Sequence, residues 1–164
     1  MSAQSVKQSG NVTPSHLAVW ATDGVLADGG VVSPMNVLAR LIGADFNSTG
    51  DQPIQFPQRI TAFQLTGIII TNASLSLSAA IGGFYPTVSK GGTAIVANTQ
   101  VYSSLTTAAN LLSATLAAGA STTRYSSANI DQIDGYLTIY LALTTAQGVA
   151  ATADVYVHGN DLSL

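Results

Sequence analysis

Few side chains in this sequence can do chemistry, and they are scattered. His16 and His158 are its only histidines, cysteine is absent, and all eight acids are aspartates. A Ser–His–Asp hydrolase needs its serine on a sharp turn, and none of the many serines sits in a G-x-S-x-G setting. His158 follows a strand-like run and precedes Gly159-Asn160-Asp161, the setting of a strand-end residue. His16 suits a hydrogen bond at an assembly contact better than a metal site. Asp131 and Asp134 share the segment Ile130-Asp-Gln-Ile-Asp-Gly135. Two carboxylates at that spacing can serve glycoside hydrolysis or bind Ca²⁺, but a polar turn before a strand is the simpler reading. Asp154 alternates with Val155 and Val157 and is expected to face solvent or a neighbouring subunit. No EF-hand, P-loop or dinucleotide fingerprint occurs. No catalytic residue, cofactor or metal is therefore expected. Tyr85, Tyr102, Tyr125, Tyr136, Tyr140 and Tyr156 leave one binding chemistry open. Tyr136 and Tyr140 fall on one strand face, where they either pack with their hydroxyls at the rim or offer a surface to sugar rings.

Composition narrows the class. Only 8% of the residues are charged, with Lys7, Lys90, Arg40, Arg59 and Arg124 as the only bases and a net charge of −3. A phosphate-tracking surface needs clustered Lys and Arg, so nucleic acid is not an expected partner. No apolar run approaches the roughly 18–20 residues of a membrane-spanning helix, so no membrane is expected either. The chain lacks glutamate and is poor in Lys and Arg, the residues that solvate helix surfaces, which favours a β fold. A weakly charged chain with mean hydropathy +0.36 tends to self-associate. A permanent assembly would bury such a surface.

The elements follow from pattern. Residues 1–30 are expected to be an extended anchoring arm. Within it His16–Trp20 and Val25–Ala27 can form a small ribbon about the turn Thr22-Asp23-Gly24. Residues 31–53 are expected to hold a short helix and a linker. Ser33 is a suitable N-cap, Pro34 a suitable first residue, and Gly43 a suitable C-cap. Met35, Val37, Leu38, Leu41 and Ile42 fall at helical spacing. Such a helix is too short to persist unpacked, so Met35, Leu38, Leu41 and Ile42 are expected to form an oligomer seam. Residues 54–164 are expected to be a β-sandwich, jelly-roll-like, with about eight short strands. Leu75 and Leu77 should face one side of a strand at 73–79, and 93–97 should be another. The last two strands, 135–143 and 149–157, are expected to join as a hairpin through Thr144–Gly148.

The arm carries a resemblance. Gln8-Ser-Gly-Asn-Val-Thr-Pro14, His16, Val19-Trp20-Ala-Thr-Asp-Gly-Val25 and Asp28-Gly-Gly30 resemble an N-terminal motif of tailed-bacteriophage virion proteins. The usual form is close to Q-S-G-x-V-T-P-G-H-x-x-x-W-x-T-D-G-V-x-x-D-G-G, on head fibres, capsid decoration proteins and tail fibres. Position 15 is Ser where Gly is typical. Lys90-Gly-Gly-Thr-Ala94, Val101-Tyr-Ser-Ser-Leu105 and Ala153-Asp-Val-Tyr-Val-His-Gly159 are similar to β-domains of the same proteins. The resemblance implies a non-enzymatic homotrimer docked on the virion, made in the host cytoplasm, with the major capsid protein or another virion component as partner. Gln8, Ser9, Gly10, Val12, Pro14, His16, Val19, Trp20, Asp23 and Gly24 would form the anchor. Location on head or tail stays open, as does a host surface glycan as a further partner.

Overall fold

The structure, a computed structural model, describes residues 36–163 in full and, before them, the backbone of three strands, β1 (Lys7–Gln8), β2 (His16–Thr22) and β3 (Val25–Val31). The chain divides into two compact units, residues 1–35 and 36–164. In the first, β3 is the central strand. It pairs antiparallel with β2, with Trp20 opposite Leu26 and His16 opposite Val31. It pairs parallel with β1, with Gln8 opposite the same Leu26. The ribbon expected within residues 16–30 is therefore present, its second strand running on to Val31, with one short strand added.

The second unit is all-β, with two antiparallel sheets consistent with a β-sandwich. One sheet holds β4 (Val37–Asp45), β12 (Thr152–Asp161), β6 (Ala62–Thr71) and β8 (Leu111–Ser113) in that order, with β9 (Arg124–Ser126) also on β6. The other is built on β11 (Tyr136–Thr145), flanked by β5 (Gln52–Gln55) on one edge and by β7 (Ile81–Tyr85) and β10 (Asp131–Ile133). Bridges Ile81↔Val101 and Phe84↔Val96 continue it beyond β7. Among the described residues there is no helix, hence none long and apolar enough to cross a membrane.

Alternation makes the core, and bulges correct its phase. Leu137, Ile139, Leu141 and Leu143 line the inner face of β11. On β6, Phe63 and Leu65 point inward, and a register shift opposite His158 and Gly159 then brings Ile68 and Ile70 inward too. Without that shift one pair would face solvent. Aromatic rings fill the centre. Phe56 stacks on Phe63 at 4.1 Å between centroids, and Phe63 on Tyr125 at 5.3 Å. Phe46 meets Tyr102 edge-on at 4.9 Å. The Tyr102 hydroxyl donates to the Gly82 carbonyl (3.1 Å), which satisfies a polar group that burial would otherwise penalise.

Several expectations are corrected. The helix over Pro34–Ile42 is not formed: Val37–Asp45 is strand β4, paired antiparallel with β12, and Ser33, Pro34 and Met35 lie outside the described residues. Two bulges in β4, at Leu38 and at Ile42–Gly43, explain the misreading. They bring Leu38, Leu41 and Ala44 inward, with Ala39 buried beside Leu38, and the larger apolar side chains so placed imitate a helical spacing. Leu38 is thus in the core of a single chain and Leu41 packs against it. The seam proposed from Met35, Leu38, Leu41 and Ile42 as a helical stripe does not exist in that form. Residues 73–79 and 93–97 are irregular, and Leu75 and Leu77 diverge, 50% exposed and 0% exposed. The two final strands do not pair as a hairpin; β11 and β12 belong to opposite sheets.

Candidate assembly surface and edge cleft

The two aspartates singled out for chemistry serve turns: Asp134 forms one, and Asp131 binds the backbone of another. Asp134 sits at φ 53 and Gly135 at φ 82 in the tight turn between β10 and β11. Asp131 accepts the Val88 N–H (2.9 Å), and Asp51, remote in sequence, accepts the neighbouring Ser89 N–H (2.6 Å). These bonds clamp a turn in which Ser89 and Lys90 both take φ 57. Such left-handed positions are costly for residues with a Cβ and persist when the surroundings hold them. Beside the clamp, Tyr140 is buried. Burial first, and then the charge and hydrogen bond of Asp131 and the charge of Asp51, raise its phenol above the ordinary value. The group stays a neutral donor to the Asp131 carboxylate, which is already engaged with Val88, an arrangement that fixes a loop rather than moving protons.

The tyrosines do not present a common sugar-facing surface. Tyr85, Tyr102, Tyr125 and Tyr140 are all buried, and only Tyr136 and Tyr156 are half-exposed. Asp154, expected at the surface, is instead 8% exposed. It accepts the Gly43 N–H (2.8 Å) and the Asn72 side-chain amide (2.9 Å). Gly43 at φ 68 is the bulge residue of β4, and Asn72 at φ 55 ends β6. One carboxylate therefore pins the bulge that turns Ile42 outward. His158 is half-buried on β12, opposite Val37 and Gly67. Among the described residues, no group of three metal-ligating side chains converges.

What the sheet does present is a neutral outer face. The register sets Arg40, Tyr156, Ile69 and Ser113 in one row across β4, β12, β6 and β8. Asp154, Thr71 and Leu111 form the next row, with Ile42 bulged beside them. Ile69 and Tyr156 are half-exposed, and Ile42 and Leu111 are 55% and 61% exposed. A face on which Ile42, Ile69, Leu111 and Tyr156 are accessible, with Arg40 its exposed charge, is a surface suited to a protein partner.

A second feature lies at the edge of the sandwich. β4 and β5 are the edge strands of the two sheets on the same side, joined by residues 46–51. Near that connection they are tied, because Gln52 accepts the Asp45 N–H (2.7 Å) and donates to the Asp45 carbonyl (2.7 Å). At the far end they part, leaving a cleft of about 500 Å³ along residues 37–40, with Gln55, Phe56, Pro57 and Tyr136 opposite.

Of the anchor residues expected from the sequence, Gln8, His16, Val19 and Trp20 fall on strands of the small sheet. Ser9, Gly10, Val12, Pro14, Asp23 and Gly24 lie outside the described residues, as does Met35. Among the described seam residues, Ile42 alone is openly exposed. Sequence reasoning missed Arg40, Ile69, Leu111 and Tyr156, although alternation against the buried Val155, Val157, Ile68 and Ile70 would have pointed to Tyr156 and Ile69. Comparison with protein-family models, with curated proteins and with solved structures found no match for the chain.

Proposed function

We propose that the chain is a non-enzymatic structural protein of a tailed-phage virion, a trimeric head fibre or capsid decoration protein docked through residues 1–30. The motif across residues 8–30 motivates the virion assignment. The observation that carries the assembly reading is the neutral outer face around Ile42, Ile69, Leu111 and Tyr156. With the helical stripe gone, this face takes over as the seam between copies.

The sandwich is read as jelly-roll-like, and its strand order supports that reading. The first strand, β4, neighbours the last, β12, followed by β6 and β8. In the other sheet β5 neighbours β11, followed by β7 and the bridged segment near Val96 and Val101. From β4 to β8, strands consecutive in sequence alternate between the sheets, and so do β11 and β12, as in Greek-key windings; β9 and β10 are short additions to the sheets of β6 and β11. Capsid-type proteins use this architecture, but the architecture alone is an analogy and does not assign a function.

Light scattering or native mass spectrometry on the full chain tests the assembly. The expected mass is three times the 16.7 kDa of one chain. Ile42→Asp with Leu111→Asp should release monomers, because a buried unpaired charge is strongly unfavourable. Both positions are exposed in the single chain, so the variant should still fold. A monomeric wild type, or a double variant that trimerises as before, would refute this seam.

A further inference from the structure

We propose that the splayed end of β4 and β5 docks an extended peptide of a partner protein. The peptide adds to the open edge of β4 as a new strand. It sets an apolar side chain against Leu38, Phe56 and Pro57 and pairs an acidic side chain with Arg40.

β4 has one neighbour in its sheet, β12, so its other edge carries main-chain donors and acceptors unpaired by any described strand. Unpaired edges invite strand addition unless something blunts them. Here the blunting is local: the reciprocal Gln52–Asp45 bonds close the edge only near Asp45. Over residues 37–40 the edge instead borders the cleft, whose width separates the two sheets.

The walls choose the partner strand. β5 carries Pro53, and Pro57 follows it. Proline has no N–H to donate, and it sits typically on edge strands for that reason. An incoming chain would therefore hydrogen-bond to β4 and only pack against the β5 side. Leu38 and Phe56 are buried at 6% and 1% exposure and form an apolar floor, with Val37 at the rim. Arg40 is exposed and no described carboxylate pairs with it; the ion pair seen among the described residues is Arg59–Asp161 (3.1 Å). A guanidinium in that position favours a carboxylate. Main-chain pairing supplies affinity in strand addition, and alternate side-chain pockets supply specificity. The cleft offers one apolar pocket and one cationic contact at strand spacing. The inference does not rest on the virion reading: the open edge of β4 and the cleft are properties of the single sandwich, although Arg40 also ends the outer-face row of Tyr156 and Ile69.

A random dodecapeptide library selected on the immobilised full chain tests it. Enriched peptides should alternate apolar and polar residues and carry an acid, and they should shift the amide resonances of residues 37–42. Arg40→Gln, an exposed change that leaves the fold intact, should weaken them about tenfold. N-methylation of alternate peptide amides should abolish binding in one phase and spare it in the other, a pattern that simple apolar contact does not produce. The proposal is overturned if no peptide is enriched over the bare support. It is overturned equally if binders ignore both Arg40→Gln and N-methylation. Binding of galacturonate at Arg40 and Tyr136 without strand addition would make the cleft a saccharide site and also overturn it.

Discussion

Replacing Asp154 by alanine tests whether one carboxylate holds the bulge that shapes the assembly face. The side chain is 8% exposed and accepts two hydrogen bonds, from the Gly43 N–H at 2.8 Å and the Asn72 amide at 2.9 Å. Bonds to a charged acceptor contribute about 1.5–3 kcal/mol each, so the ceiling is about 3–6 kcal/mol. That ceiling is not reached, for two reasons. Gly43 and Asn72 are themselves exposed, so water can replace the lost acceptor. Deletion also relieves the cost of burying a charge. Roughly half should remain, a loss of about 2–3 kcal/mol by urea unfolding, measured at one protein concentration because assembly adds stability by mass action. Asn72→Gly keeps the left-handed backbone and removes only the amide, so a double-mutant cycle with Asp154→Ala isolates the side-chain bond at about 1 kcal/mol. Exchange of the Gly43 amide should accelerate in Asp154→Ala. A loss below about 0.5 kcal/mol together with unchanged Gly43 exchange would refute the reasoning.

Two further outcomes follow from packing. Burial first, and then the neighbouring Tyr85, hold the Tyr102 phenol well above its ordinary value. The unfolded chain therefore releases this proton first: the contribution is full below about pH 10 and is lost as pH rises toward the folded value. Tyr102→Phe should cost about 1 kcal/mol at neutral pH, through the lost bond to Gly82, and should flatten the alkaline fall in stability, measured by urea unfolding from neutral to alkaline pH. Gly83→Ala should destabilise by about 1–3 kcal/mol or prevent folding, because a Cβ there would overlap the Val96 carbonyl; thermal unfolding reads the difference.

Legibility followed the regularity of each element. β11 and β12 are long and apolar, and their inward residues could be read from alternation; on β6 alternation holds only on each side of the bulge between Leu65 and Ile68. The ribbon of β2 and β3 was legible from its turn signal. β4 was not, because its bulges at Leu38 and Ile42–Gly43 give the larger inward side chains a spacing that imitates a helix, and bulge positions depend on a partner strand far along the chain. Gly43 was recognised as a residue needing positive φ, but the same conformation serves a helix cap and a bulge. The pairing of β11 and β12 was misassigned because alternation fixes which face is buried, not which neighbour a strand chooses. The clamps made by Asp51, Asp131 and Asp154 join segments tens of residues apart, and no local pattern announces them. Arg40 and the cleft depend on two edge strands parting, which only the assembled sandwich reveals.

Cryo-electron microscopy of the parent particle tests the central claim most directly. Threefold density is expected on the capsid, with three copies of the 36–164 sandwich meeting through Ile42, Ile69, Leu111 and Tyr156, and residues 1–30 ordered against a capsid protein. Density for this chain only at the tail tip would contradict the head assignment. A purified particle that lacks the chain altogether would contradict the virion reading itself.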